Sequence, residues 1–477
     1  MVDGSDYNPA HWRARVFKKV PDVYVIVCSL ILLAGVATWI VPGGAFEREV
    51  VDRGGISAEV VVPGSFEFEN SHPQVFEVFT APINGALRLA KIIFFIFMVG
   101  GSFYVLNETQ AIAAGIHNLV RALKGREYLV IPTVMTVFSL FGATFGMCVE
   151  AIPFVLVFVP LALALGYDSI VGVSLTFLAA GVGFAGAFLN PFTVQIAQGI
   201  AGIQPVSGWG YRLVVWVIAT SAVIVWVMVY AARVRADPTR SPMYELDAIR
   251  RREVLEQQQA VTSMTPRRAI CLGILLAGVV VMIVGVVIFK WYIIELAGLF
   301  LGMGLTAGLV SGMSGNELAK AFVAGCRDIA GAALIVGFAG GIVEILEAGN
   351  IMDTILWAMS SVTSHLPGVV TAQVMYLMQL VVNFFIPSGS TQAALVMPIM
   401  APLAHLSGIT PQTAILAYQF GDGFSNMIIP TSGVTVGTLA MAKIPYEKWF
   451  RWNLPMQGMF VLMSLSLLVW PVLVHWQ

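Results

Sequence analysis

The sequence predicts an all-α polytopic membrane protein organised as an inverted repeat, with two re-entrant hairpins and two broken helices. Three observations predict it. The 477 residues are 58% hydrophobic and only 11% charged, whereas soluble globular chains carry about 25% charged residues. Apolar runs near the ~20-residue length that crosses a bilayer recur along the whole chain. Four Gly/Pro/hydroxyl interruptions fall inside apolar stretches, where backbone outside a helix survives only within protein or along a wet cavity.

The elements follow in order. Apolar runs fall at about 21–42, 85–106, 168–203, 211–233, 269–289, 293–312, 326–347, 410–442 and 453–475, and the stretches 127–166 and 367–406 are interrupted near their middles. The first run lacks a small-residue cleavage site, so it reads as a retained helix. Loop 43–84 is acidic and carries β-branched and aromatic runs such as EVVVPGSFEF, which predict a small extracytoplasmic β-rich excursion. The four cysteines lie in or beside apolar stretches and read as buried hydrophobes rather than a disulfide framework.

Lysine and arginine set the orientation. Arg13, Arg15, Lys18 and Lys19 precede the first run, and segment 233–268 holds eight arginines, including Arg250, Arg251 and Arg252. Both read as cytoplasmic, and four crossings between them satisfy this. Stretch 127–166 then dips in from the cytoplasm and 367–406 from outside, with KIPYEKWFR (443–451) inside. The N-terminus is expected in the cytoplasm of a multi-pass protein of the cell membrane, and the C-terminus outside.

Segment 233–268 divides two similar halves. The expected domains are a tail 1–20, a first repeat 21–232, a solvated linker 233–268 and a second repeat 269–477. Each half has a span ending near GGSFYVLNETQ (100–110) or GGIVEILEAGN (340–350), then an amphipathic piece. Ile112, Ile116, Leu119 and Leu123 mark that piece in the first half, and Ile351, Ile355 and Met359 in the second, the spacing of one helical face. A broken hairpin, a Pro-broken helix and a last span follow. Gly101 and Gly341, Pro153 and Pro398, Gly166 and Gly408, and Pro191 and Pro430 correspond at near-constant offsets. Hairpins entering from opposite faces make the repeat inverted.

The four interruptions are FGATFGM (141–147), LNPFT (189–193), PSGSTQ (387–392) and IIPTSG (428–433). In the third, Gly389 permits a turn, and Ser390 or Thr391 caps the following helix. That helix start points its positive end at the bilayer midplane, where it attracts an anion. Gly142 and Thr144 are expected to do the same from the other side. Discontinuous helices meeting at a repeat interface are the usual site of a secondary transporter.

The motifs GATFGM, GYDSIVGV, NPFTVQIAQGIAG, FFIPSGSTQAALVMPIMAPLA, FGDGFSNMIIPTSGV and KIPYEKWFRW resemble the YfcC/ArcD family of basic amino acid antiporters. That family is related to the anaerobic four-carbon dicarboxylate (DcuC) carriers, within the ion-transporter superfamily. The resemblance covers nearly the whole chain. It implies a scaffold, a moving transport domain holding both hairpins, an elevator-type motion and a homodimer. It also implies that hairpin tips and broken helices hold a substrate carboxylate and, in many members, sodium. Carried over, the substrate positions are Gly142, Thr144, Asn190, Pro191, Thr193, Ser388, Gly389, Ser390, Thr391, Ser425, Asn426, Pro430, Thr431 and Ser432. Sodium is expected near Thr144, Asn190, Ser390 and Thr431; a proton is the other candidate coupling ion. One departure is Gly340 in GFAGGIVEILE, where relatives often carry arginine, together with Glu344.

Ionisable residues inside spans are functional candidates by default. Glu150 reads as an amine or proton site, or as a structural group pairing with arginine or capping the tip. Asp422 reads likewise, or as a bystander in a close helix contact marked by Gly421 and Gly423. Glu344 and Glu347 read as site groups or as groups reaching the outer interface. Arg88, Lys91 and Lys320 read as snorkelling cations, and His405 as interfacial. No metal-ligand set, nucleophile–base pair or Walker A sequence occurs, so no cofactor, catalytic residue or nucleic-acid partner is expected. The expected function is secondary transport of a small carboxylate-bearing metabolite. The leading cargo is an amino acid of arginine/ornithine type in exchange; the alternative is sodium- or proton-coupled four-carbon dicarboxylate transport. A channel would favour a continuous polar stripe, and an enzyme a catalytic set.

Overall fold

The computed structural model describes residues 23–53, 56–62, 64–122, 125–260, 264–289, 291–363 and 366–477; the basic tail 1–20 lies outside them. Among the described residues, seven helices are long and apolar enough to cross a membrane, or eight if one bent pair is counted as a single span. The chain opens with α1 (Val23–Ile40). Four short strands follow, β1 (Gly43–Ala45) paired antiparallel with β4 (Glu67–Glu69), and β2 (Arg48–Arg53) with β3 (Ile56–Val61). The excursion is tied down by Asp353, whose carboxylate accepts from Arg48 at 2.9 Å and from the Phe46 N–H at 3.0 Å.

The next four helices are α2 (Glu77–Arg88), α3 (Ala90–Glu108), α4 (Ala111–Ala122) and α5 (Val130–Phe145). They lead to α6 (Val149–Ala164) and α7 (Ser169–Ala185), short apolar helices of which the second contains a π-turn at Ser174–Leu178. Then come α8 (Val194–Ile200), the long α9 (Trp209–Ala236) and α10 (Tyr244–Ala260). The second half has α11 (Pro266–Phe289), α12 (Ile293–Ser311), α13 (Gly315–Asp328), α14 (Ala330–Ala348) and α15 (Met352–Thr363). It closes with α16 (Gly368–Phe385), α17 (Gly389–Leu406), α18 (Pro411–Ser425), α19 (Gly433–Met441) and α20 (Tyr446–Leu467).

Glycines decide how these helices cross. Helix α2 packs on α14, and α13 packs on α3. At the first crossing a Cβ on Gly85 would lie 2.2 Å from the Gly341 nitrogen; at the second a Cβ on Gly325 would lie 2.6 Å from the Gly100 carbonyl. Small residues let helix backbones touch in this way inside a membrane. Gly325 stands as far beyond Gly85 as Gly341 stands beyond Gly101, and at both crossings glycine meets glycine. Deeper in, α5 packs on α7 and α16 on α18, with Gly183 against Ser139 and Gly421 against Gln379.

Two expectations change here. Arg88 does not simply snorkel: it binds Glu344 at 3.0 Å and Glu347 at 2.5 Å, joining α2 to α14. The linker is not merely solvated. Its helix α10 is docked through Asp247, which accepts the Ser169 N–H at 2.7 Å and the Ser169 hydroxyl at 2.9 Å. Arg251 also donates to the Tyr167 carbonyl at 2.8 Å.

Candidate functional site

The helix preceding the first tip ends at Phe145. Gly146 takes φ 75°, and Met147 N–H reaches back to the Phe141 carbonyl at 3.4 Å, a Schellman-type stop that needs glycine at the left-handed position. The turn glycine is therefore Gly146, whereas Gly142 lies inside α5 with its Cα face against the Ala180 carbonyl of α7. Thr144 also lies within α5 and bonds the Leu140 carbonyl at 2.7 Å. Glu150 is buried, and its Oε2 accepts the Cys148 N–H at 3.0 Å. This is the tip-capping role, and no arginine pairs with it among the described residues.

At the second tip α16 stops at Phe385 and α17 starts at Gly389. Ser388 occupies the N-cap, but its side chain makes no capping bond and instead donates to Thr391 Oγ1 at 3.0 Å. Ser390 and Thr391 lie in the first turn and are exposed, so the expectation that one of them caps the helix is corrected. Gly389 matters for a different reason. A Cβ there would lie 2.5 Å from Thr193 Cγ2 and 2.9 Å from Asp422 Oδ2.

Both tips therefore press on one stretch of broken helix, between α7 and α8. Asn190 lies beneath the first tip, its Oδ1 2.6 Å from where a Gly146 Cβ would be, and Thr193 lies beneath the second. Pro191 between them contributes no N–H, which suits a stretch leaving the helix. The Leu189 N–H is taken by the Ala143 carbonyl at 3.1 Å and the Leu189 carbonyl by Gln195 at 2.8 Å. The break between α18 and α19 is supported differently. Ser432 caps α19. The Met427 carbonyl accepts from Trp449 at 2.8 Å and Asn453 at 2.9 Å, and the Ile428 carbonyl from Tyr446 at 2.5 Å. Sequence reasoning missed these three residues of α20. Their spacing along KIPYEKWFRWN puts them on one helical face, and that was the available signal.

Asp422 faces this junction and is fully buried. Its Oδ1 accepts from Asn426 at 3.0 Å, while Oδ2 has no protein partner. Asn383 gathers the neighbouring turn, donating to the Asp422 carbonyl, Ser425 Oγ and Asn426 Oδ1 at 3.0, 2.7 and 3.1 Å. Asn190 Nδ2, Thr193 Oγ1 and Thr431 Oγ1 are buried and likewise lack a protein partner. Pro430 is half-buried beside Thr431 and Ser432. Gly421 and Gly423 do mark close contacts, with Gln379 and Ala185, and those contacts aim Asp422 at Gly389. A buried carboxylate costs several kcal/mol unless a cation, a proton or hydrogen bonds offset it. Among the described residues no arginine or lysine pairs with Asp422.

Of the four residues expected around sodium, Asn190 and Thr431 are buried, Thr144 is half-buried and bonded within its own helix, and Ser390 is exposed. Thr144 is committed to the Leu140 carbonyl and Ser390 faces outward, so the four do not share one environment. Asp422, Thr193 and the Gly389 carbonyl region are the oxygen-rich part; that carbonyl accepts from the Tyr418 hydroxyl at 2.6 Å.

Comparison with known proteins adds the family. Residues 20–473 match the family described as DcuC, the C4-dicarboxylate anaerobic carrier. The chain is 38% identical to YfcC of Escherichia coli (strain K12), provisionally named a basic amino acid antiporter, over 93% of this chain and 95% of that one. It is 31% identical to an uncharacterized protein of Haemophilus influenzae, covering 94% of this chain and 96% of that one. Among solved structures, the YdaH transporter of Alcanivorax borkumensis aligns over 94% of this chain and 98% of its own, at a TM-score of 0.44 and 17% identity.

Proposed function

Because the chain belongs to the DcuC family of membrane transporters, we propose that it is a secondary transporter of a small carboxylate-bearing cargo held between the two tips. The reading takes the chain as an inverted repeat in the cell membrane, N-terminus inside and C-terminus outside, with 127–166 and 367–406 as re-entrant hairpins. The paired glycine crossings and the convergence of Gly146 and Gly389 on residues 190–193 support it. The tips and broken helices would travel together as an elevator against the remaining helices, in a homodimer, as the family resemblance implies.

The observation that carries the cargo class is the unpartnered Oδ2 of Asp422 beside Gly389. It calls for a cation, a proton or a hydrogen-bond donor from outside the fold. An amino acid supplies one in its ammonium, while its carboxylate can take the amide of Asn190 and the start of α17. This favours amino acid exchange, of the basic type that the Escherichia coli relative's name carries. The second reading is a four-carbon dicarboxylate with sodium or a proton, in which the cation meets Asp422, and Thr193 and Thr431 supply further oxygens.

Proteoliposomes separate the two. Vesicles preloaded with arginine should exchange it for external arginine or ornithine without a sodium gradient, and Asp422→Asn should abolish this. Uptake of succinate that needs a sodium or a proton gradient, with no arginine exchange, would replace the first reading by the second. Neither activity in sealed vesicles would reject both.

A further inference from the structure

A groove of about 930 Å³ lies away from the tips, lined by Tyr104 of α3, by Lys320, Val323, Ala324 and Arg327 of α13, and by Lys443 just beyond α19. Helix α13 presents two contrasting faces. Leu318 and Gly325 are buried, with Gly325 seated on Gly100 and Gly101 of α3. The groove face carries Lys320, Val323 and Arg327, all exposed, with Val323 63% exposed. Neither Lys320 nor Arg327 forms an ion pair among the described residues, and the one acid in the groove, Asp328, is already bound to Lys443 at 2.9 Å.

The groove therefore has a basic rim with two uncommitted cations above an apolar wall. The linker fixes its depth. Arg250 of α10 donates to the Ala442 carbonyl at 3.1 Å and also to the Lys443 carbonyl, so the rim lies at the end of the bundle that carries the arginine-rich linker. That end is the cytoplasmic one in the orientation proposed above, where anionic lipid is concentrated. A bare anion would use the cations and leave Val323, Ala324 and Tyr104 in contact with water. A phosphodiester carrying acyl chains uses both.

We propose that this groove binds the headgroup of an anionic phospholipid, its phosphate on Lys320 and Arg327 and its acyl stem along Val323 and Ala324. The site spans α13 and Lys443, just past the end of α19, two elements that the elevator reading assigns to different bodies. A bound lipid would compete with Asp328 for Lys443.

The test uses the full chain, delipidated in detergent, with the rise in thermal midpoint followed as lipid is added. Phosphatidylglycerol should raise the midpoint and phosphatidylcholine should not. The double variant Lys320→Gln/Arg327→Gln should unfold as wild type without lipid, and need roughly tenfold more phosphatidylglycerol for half the effect. Asp328→Asn should need less than wild type, because it frees Lys443. An unchanged response of the double variant, an equal response to phosphatidylcholine, or a weaker response of Asp328→Asn would overturn the site. Inorganic phosphate reproducing the shift would overturn the lipid assignment. The readout does not involve cargo, so it stands or falls separately from the transport reading.

Discussion

Asp168 and Asp422 are both almost wholly buried, and their surroundings differ. Asp168 accepts from the Val171 N–H at 2.9 Å, the Tyr230 hydroxyl at 2.5 Å and the Ser241 hydroxyl at 2.6 Å, leaving neither oxygen without a donor. Asp422 accepts from one side chain and leaves Oδ2 bare beside Gly389. A carboxylate whose donors come from its own fold holds that fold together; here it pins the linker's approach to α7 and α9. A carboxylate left one donor short with no cation beside it, unlike Asp247, whose Oδ1 faces Arg250 at 3.5 Å, has room for a group the fold does not contain. The contrast gives Asp168 a structural role and is the ground for the cargo role proposed for Asp422, although both are equally buried.

Crowding the bare oxygen should have the largest effect on transport. Gly389→Ala places a methyl against Thr193 and Asp422 Oδ2, and exchange by the folded protein should fall more than roughly tenfold, with an overpacking cost of about 1–3 kcal/mol lowering the thermal midpoint. Gly458→Ala, which meets nothing within 4 Å, is the control; equal rates in both would break the comparison. Asp168→Ala should do the reverse. It strands the Tyr230 and Ser241 hydroxyls and should cost about 3 kcal/mol of stability, read as a lowered unfolding midpoint, while cargo affinity in the folded fraction stays that of wild type.

A third acid sharpens the structural side of the contrast. Burial raises the Asp247 carboxyl above its usual range, and the nearby Asp168 charge adds to this, against hydrogen bonds from Ser169 and the charge of Arg250. A raised native value means the docked helix gains from protonation. That contribution is complete below the unfolded value of about 3.9 and is lost as pH rises through the native one. With each rate divided by the base-catalysed intrinsic rate at its pH, hydrogen exchange of 244–254 should therefore show greater protection at about pH 5 than at about pH 8. Asp247→Asn should flatten the difference; a slope of opposite sign would contradict the burial argument. The smallest effects should come from the tips' own polar side chains. Glu150→Gln keeps an acceptor for the Cys148 N–H, and Ser390→Ala removes an exposed hydroxyl, so each should change exchange less than about threefold. A large loss of arginine exchange in Glu150→Gln, with succinate binding untouched, would move the ammonium site to the first tip.

The breaks were legible in the sequence because Gly, Pro and hydroxyl residues interrupt apolar runs for local reasons. Residues 189–193, 387–392 and 428–433 all fall at helix interruptions in the structure. The register within each break was not legible. Which of Gly142 and Gly146 turns the chain depends on α7 packing against one face of α5. Which residue begins α17 depends on Gly389 fitting against Thr193 and Asp422. The helpers on α20 were missed because Tyr446, Trp449 and Asn453 look like an ordinary interfacial helix face until the freed carbonyls of Met427 and Ile428 are placed beside them. Arg88 was read from its place at a span end, and only the crossing at Gly85 brings Glu344 and Glu347 to it. Local chemistry is written along the chain, whereas partners from other helices are not.

The most direct test is a calorimetric titration of arginine, and of succinate with and without sodium, into wild type and Asp422→Asn in the same detergent. The account predicts that wild type binds arginine and that Asp422→Asn, with an unchanged unfolding midpoint, binds it at least roughly tenfold more weakly. Equal arginine affinity in the two proteins would contradict it.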